Sequence, residues 1–592
     1  MKRRTLLGGT AGVCAAAALP AAAAPPRTLR AAFSFGETGF DPPQASDLSS
    51  ITVNAHIFET PLTYDYLARP AKLKPLTAAA LPEVSDDARR FVFTIRPGIF
   101  FADDPVFRGR PRELVAADYV YSIKRHYDPA VKSENLYAFE SARVIGLSEL
   151  RQQALKARTP FPYDTEVAGL RALDRYRFEV RLAAPDPRFV NNFTAVEFTG
   201  AVAREVVEAY ADDLMAHPVG TGPFMLQQWR RRSAIVLVRN PRFREQVFEG
   251  DPASGDAQAQ AAAAHLRGRR LPLLDRVEIS VIDEAQPRWL AFLNGELDVL
   301  ELPAEYGPLA WPNGRLAPHL AHRGVQARST LGADVAHTFF NFADPVVGGY
   351  TPDKVALRRA VALAYDSAAE VRQLRQGLGI VAQSMIAPHC YGHDPSLRSE
   401  MSEASTARAN ALLDLYGYAD RDGDGWREMP DGRPLQLRLA EINSQVGRRR
   451  TELWKKHMDA IGVRMVFEIA NFGELIKRSL AGNLMMWGYS WSATAPDGDF
   501  FLGLAYGPNG DQSNDARFRL PAFDRLYERQ KAMPNGPERL AVMRQAQKLM
   551  LAYTPYISHY HRILVDLAQP QVRAYLRHPF TRDWWRYTDV ER

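Results

Sequence analysis

Residues 451–469 read Thr-Glu-Leu-Trp-Lys-Lys-His-Met-Asp-Ala-Ile-Gly-Val-Arg-Met-Val-Phe-Glu-Ile, a helix around Thr451 to Ile461 that feeds a strand from Arg464 to Ile469. The same alternation recurs outward from it. Helical spacing is found from Val355 to Asp366 and from Ser405 to Leu415, and Val277 to Val281 reads as a strand followed by a helix that closes at Asn294-Gly295. Strands alternating with helices of this length predict an α/β fold with at least part of each sheet parallel. Nearer the N-terminus, Leu29 to Phe33 reads as a strand, and Ile51, Ala55, Phe58 and Leu62 fall at helical spacing. A hairpin is expected from Phe91–Arg96 and Ile99–Phe101 across Pro97-Gly98, with a helix from Ala117 to Arg125 after it. The Gly220-Thr221-Gly222-Pro223 turn opens two further strands. Residues of about 246–270 lack β-branched side chains apart from Val247 and read as an insertion with a short helix at Ala257 to Ala264.

A chain of 592 residues exceeds one hydrophobic core, so two or three lobes are expected. The net charge of +6 falls to +3 once Lys2, Arg3 and Arg4 are set aside with the leader. Arg448-Arg449-Arg450 has no interleaved aromatic residue and reads as a solvated helix end, so no nucleic-acid partner is expected. Two cysteines, Cys14 and Cys390, exclude a disulfide scaffold and a multi-cysteine metal centre. Cys390 beside His389 reads as a buried structural thiol.

Lys2-Arg3-Arg4, an apolar run from about Leu6 to Leu19 and the Ala21–Ala24 exit have the layout of a secretory signal over residues 1–24. Arg3-Arg4-Thr5-Leu6-Leu7 also resembles a twin-arginine start, while an ordinary signal carries two basic residues as well. The expected product is periplasmic. No later stretch reaches 18 apolar residues.

Several segments then match one family in order. They include Phe40-Asp41-Pro42 with Ile57-Phe58-Glu59-Thr60-Pro61-Leu62, Phe93-Thr94-Ile95-Arg96-Pro97-Gly98 with Ala117–Ser122, and Gly220–Phe224 through Arg239-Asn240-Pro241. Gly295-Glu296-Leu297-Asp298, Phe340-Asn341 with Leu357–Val361, Gly417-Tyr418 through Asp422–Gly425, and Pro496–Leu502 complete the series. The chain resembles the family 5 extracellular solute-binding proteins of oligopeptide/dipeptide type. The resemblance implies the type II periplasmic-binding fold in three lobes, two of them hinged around a ligand cleft. Lobe I would comprise residues 25–68, 198–287 and 556–592, lobe II residues 69–197, and lobe III residues 288–555. It further implies a monomer that hands a peptide or peptide-like solute to the membrane permease of an ABC importer, with no cofactor, no metal and no catalysis.

Met486-Trp487-Gly488-Tyr489-Ser490-Trp491 places three aromatic rings on one face of a strand. That face either walls a ligand or packs into its lobe. The family sets a tryptophan against the ligand at Trp491. Three residues on, where peptide-binding members carry an aspartate for the α-amino group, stands Thr494. A neutral hydroxyl cannot offset a buried ammonium, which favours an amine-blocked solute or another partner for the amine such as Asp47. The resemblance also points to Tyr489, Asp497, Tyr137, Ser46 and Asn514 as ligand-facing. Asp420, Asp422, Asp424, Glu428 and Asp431 follow calcium-loop spacing, but the strand-like Pro434–Leu439 replaces the exiting helix. A sensory module feeding a receptor is the alternative function. A periplasmic hydrolase would need a nucleophile elbow, a His-Glu-x-x-His run or a P-loop, and none is written in the chain.

Overall fold

A computed structural model describes residues 25–85 and 87–591; the leader expected at 1–24, with Cys14, lies outside the described residues. The helix read at 451–461 starts earlier, at Gln445, where the Ser444 hydroxyl accepts from the Gly447 N–H at 3.0 Å, and it runs to Asp459. The strand after it, Arg464–Ala470, lies parallel to Gln436–Ile442 with Leu439 opposite Phe467. Trp454, Met458, Ile461 and Val463 bury their side chains with Leu437, Leu439, Leu357 and Val361. The predicted helix and strand are present, and the parallel strand Gln436–Ile442 makes them a strand–helix–strand unit.

This unit forms one edge of an eight-stranded mixed sheet. Its order is Val299–Glu301, Tyr556–Ala568, Asp334–Phe340, Met486–Ser492, Gln436–Ile442, Arg464–Ala470, with Gln326–Leu331 and Gly379–Val381 also pairing along Tyr556–Ala568. The lobe boundary expected at 556 needs correction. Tyr556–Ala568 is hydrogen-bonded to Asp334–Phe340, Phe339 opposite Tyr556, and so belongs to the lobe III sheet. From its last residue, Ala568, onward the chain enters the lobe I core, with Val572, Leu576, Trp584, Trp585 and Val590.

Lobe I is built on a four-stranded sheet ordered Thr28–Phe33, Arg276–Val281, Ala234–Arg239, Phe224–Arg230, in which only the first pair is parallel. The turn before Phe224 needs glycine because a Cβ on Gly220 would sit 2.0 Å from the Ile57 carbonyl oxygen. The insertion is joined to this lobe. Gln246–Val247 pairs with Arg270–Leu271, and the helix Ala257–Leu266 buries Ala259, Ala262, Ala263 and Leu266 in the core.

Lobe II departs from expectation in two ways. Its sheet, Glu83–Val84, Arg90–Thr94, Arg177–Arg181, Leu170–Ala172, is antiparallel throughout. The excursion through the helix Ala116–Tyr127 returns the chain antiparallel instead of parallel. The expected hairpin is also absent, because Arg90–Thr94 pairs with Arg177–Arg181 while Phe100 bridges to Glu113. In lobe I the first helix spans Leu48–Ile57 and ends before Leu62, which starts a short strand.

Candidate functional site

Segments of all three lobes enclose a cavity of about 640 Å³. One wall is the end of Met486–Ser492 with the loop to Thr494, held where the Ala493 N–H donates to the Ala333 carbonyl at 2.8 Å. Opposite lie Ser46–Ser49, Glu134, Tyr137 and Thr194–Glu197, and residues 575–586 close a third side.

The aromatic face divides along its length. Trp487 is fully buried and stacks on Tyr489 with ring centroids 4.6 Å apart, so it packs into the lobe. Tyr489 and Trp491, 5.8 Å apart, line the cavity. The Tyr489 hydroxyl donates to Asp515 at 2.6 Å, and the Ser479 hydroxyl donates to the other oxygen of that carboxylate. Burial pushes the Asp515 carboxyl up, and these donors pull against it. Thr494 is half-buried at the cavity wall, with no hydrogen bond to its hydroxyl among the described residues.

Across the cavity, Ser46 is exposed and donates to Glu134, joining lobe I to lobe II. Burial raises the Glu134 carboxyl above its ordinary range. Tyr137 lines the cavity edge-on to Phe198.

Asp47 faces the cavity but is otherwise engaged. One oxygen caps the helix Leu48–Ile57 by accepting from the Ser50 N–H at 2.8 Å, and the other accepts from the Thr38 hydroxyl at 2.7 Å. It is therefore a poor substitute for the carboxylate missing at Thr494.

Two expected residues lie away from the cavity. Asp497 is paired with the fully buried Arg539 through two bonds of 2.7 and 2.6 Å, and it accepts from the Asp499 N–H. Asn514 is fully buried; its amide donates to the Tyr506 and Phe518 carbonyls. Both fix loops of lobe III. Asp499 accepts from Gln530 and lies 3.8 Å from Lys531, which also reaches Asp186 of lobe II at 3.2 Å. Cys390 is buried with its Sγ 3.8 Å from the Ala495 carbonyl, while His389 donates to the Leu331 carbonyl. The pair does not meet as nucleophile and base.

The basic run at 448–450 also needs correction, since Arg450 lines the cavity and bonds Glu370 and Glu441 at 3.1 Å. Sequence reading missed Glu197 and Arg582, which line the cavity as well. A signal was present for the first: Glu197 is the sole charge in the stretch from Phe193 to Ala203.

In the Asp420, Asp422, Asp424, Glu428 cluster the three aspartates are exposed and Glu428 is half-buried, and Asp420 spends its oxygens on the Gly423 and Gly425 N–H groups. Among the described residues no helix is long and apolar enough to cross a membrane.

The family model described as "Bacterial extracellular solute-binding proteins, family 5 Middle" matches residues 72–513. "Di/tripeptide-binding protein 2" of Pseudomonas aeruginosa is 26% identical over 99% of both chains. "Heme-binding protein A" of Haemophilus influenzae is 24% identical over 85% of this chain and 81% of its own length. Among solved structures, the periplasmic binding protein DppA from Helicobacter pylori in complex with peptide STSA superposes with a TM-score of 0.77 at 18% identity, covering 95% of this chain and 98% of that one. The fold is thus the mixed α/β type II periplasmic-binding fold. The chain belongs to the family 5 bacterial extracellular solute-binding proteins.

Proposed function

We propose that this protein is the capture subunit of an ABC importer, which closes its lobes on one peptide or peptide-like small solute and hands it to a membrane permease. The observation that carries this reading is the cavity itself. At about 640 Å³ it lies in the range of roughly 300–1,000 Å³ that holds a small molecule, and its walls come from separate lobes. Closure is favoured by a ligand because only the closed form offers both sets of contacts. The relatives' names agree with this reading, one binding di- and tripeptides and another haem. The protein works as a monomer outside the cytoplasm, delivered by the segment 1–24, and catalyses nothing.

Native mass spectrometry of the purified protein, followed by calorimetric titration with a di- and tripeptide library, tests it. One small molecule per chain, displaced by library members, is the expected result. A protein that carries no solute and binds no member of the library would overturn the reading.

A further inference from the structure

Several charges on the cavity wall are already paired within the protein. Arg562 bonds Asp334 at 2.9 Å, Arg577 bonds Asp566 at 2.6 Å and Glu301 at 2.9 Å, Arg586 bonds Glu59 at 3.1 Å, and Arg450 holds Glu370 and Glu441. Others hold no ion pair: Glu134 accepts from the Ser46 hydroxyl, Arg288 donates to the Ile282 and Asp283 carbonyls, and Asp283 and Glu284 are exposed. Of the charges left without a side-chain partner, Glu197 and Arg582 attract one another.

Arg582 is half-buried at the cavity, its Cζ 6.0 Å from the Trp584 ring, and among the described residues no hydrogen bond or ion pair engages its guanidinium. Burial and the like charges of Arg577 and Arg562 lower it to about 10, so it stays charged at neutral pH.

Glu197 is 5% exposed and faces the same cavity, with no side-chain donor among the described residues. Burial pushes it up to about 7; a hydrogen bond from its own backbone N–H and then the Arg582 charge act against that rise. The two attract one another across the cavity yet do not meet as an ion pair.

A buried carboxyl and a half-buried guanidinium left apart are costly unless something completes them. We propose that Glu197 and Arg582 are the two anchor points for a zwitterionic solute, Glu197 taking an ammonium group and Arg582 a carboxylate. The peptide reading above is the ground for this assignment, which narrows it to short peptides with free ends. A ligand ammonium completes Glu197 and a ligand carboxylate completes Arg582 in charge-assisted hydrogen bonds. Thr494, on the lobe III wall, then needs no charge. Asp47 and Asp515 are excluded from the anchor role by the donors they already hold.

The test is calorimetric titration of the full-length mature protein with Ala-Phe and Ala-Phe-Ala, alongside their N-acetylated and C-amidated forms. Wild-type protein is expected to bind the free peptides and to lose about 10- to 100-fold with either end blocked. Glu197→Gln is expected to lose a similar factor for free peptides and little for N-acetylated ones, and Arg582→Gln a similar factor for free peptides and little for C-amidated ones. Arg582→Lys should restore part of the loss.

Wild-type affinity that ignores both blocking groups would overturn the anchor assignment and leave peptide capture standing; this arm needs no variant to fold. Dependence on Arg582 alone would also overturn it, in favour of an acidic solute without an amine. If neither peptide nor any blocked form binds, peptide capture itself fails.

Discussion

The Arg125 guanidinium lies against the Asp41 carboxylate with Nη1–Oδ1 2.6 Å and Nη2–Oδ2 2.9 Å, both side chains buried. This fork joins the last turn of the lobe II helix Ala116–Tyr127 to the Phe40-Asp41-Pro42 turn of lobe I, so a sequence motif of the family is also an interlobe bond. Removing one partner leaves a buried charge alone. Asp41→Ala is expected to cost about 3–5 kcal/mol in urea unfolding. A loss under about 1 kcal/mol would mean that water replaces the carboxylate at no cost.

Asp497 poses the same question in lobe III. Because its carboxylate neutralises the fully buried Arg539, Asp497→Ala should destabilise the protein by several kcal/mol, about 3–5, while solute affinity is unchanged below the melting range. Calorimetry on the folded variant decides it: a large affinity loss with normal stability would return Asp497 to the ligand site.

Trp491 should behave in the opposite way. It lies partly open at the cavity wall between Tyr489 and Phe500, with centroids 5.8 and 5.7 Å away. Trp491→Ala is expected to weaken solute binding by about 1–3 kcal/mol. An unchanged dissociation constant would remove this strand from the binding wall.

Glu197 gives a pH signature without ligand. Burial raises its carboxyl from the ordinary 4.5 to about 7, with its own backbone N–H and then Arg582 opposing, and the Tyr137 hydroxyl nearby. Between those values the folded chain holds a proton that the unfolded chain has lost, so stability falls as pH rises through that window. Glu197→Gln abolishes the titration, and the unliganded variant should gain on wild type from pH 4 to pH 8 by on the order of 3 kcal/mol. Denaturant unfolding at both pH values measures this; an equal difference at each would show that Glu197 does not titrate there.

Gly220 tests the turn on which lobe I depends. A Cβ there would meet the Ile57 carbonyl oxygen at 2.0 Å, backbone against backbone. Gly220→Ala is expected to cost about 2–4 kcal/mol, read as a lowered midpoint in thermal unfolding. A wild-type midpoint would mean that the turn shifts freely.

Local pattern carried much of this fold. The helices near 355–366, 405–415 and 451–461 and the strand near 464–469 were legible because apolar spacing reports one face of one element; each is present, though the third helix starts six residues earlier, at Gln445. Strand partners were not legible. The Phe91–Arg96 run looked like half of a hairpin, but its partner is Arg177–Arg181, and no local pattern encodes a pairing across more than 80 residues. Tyr556–Ala568 went to lobe III for the same reason.

The cleft shows the same division. Aromatic alternation in Met486–Trp491 and the neutral Thr494 were visible in the chain, because residue type and period are sequence properties. Whether Asp47 and Asp497 face a solute or spend their oxygens on Ser50, Thr38 and Arg539 depended on neighbours brought from elsewhere. Sequence alone determined the family, the α/β alternation and the aromatic strand. Tertiary structure alone decided which charges were left without partners, since a carboxylate is completed by whatever donor the folded chain sets beside it, at any distance along the sequence.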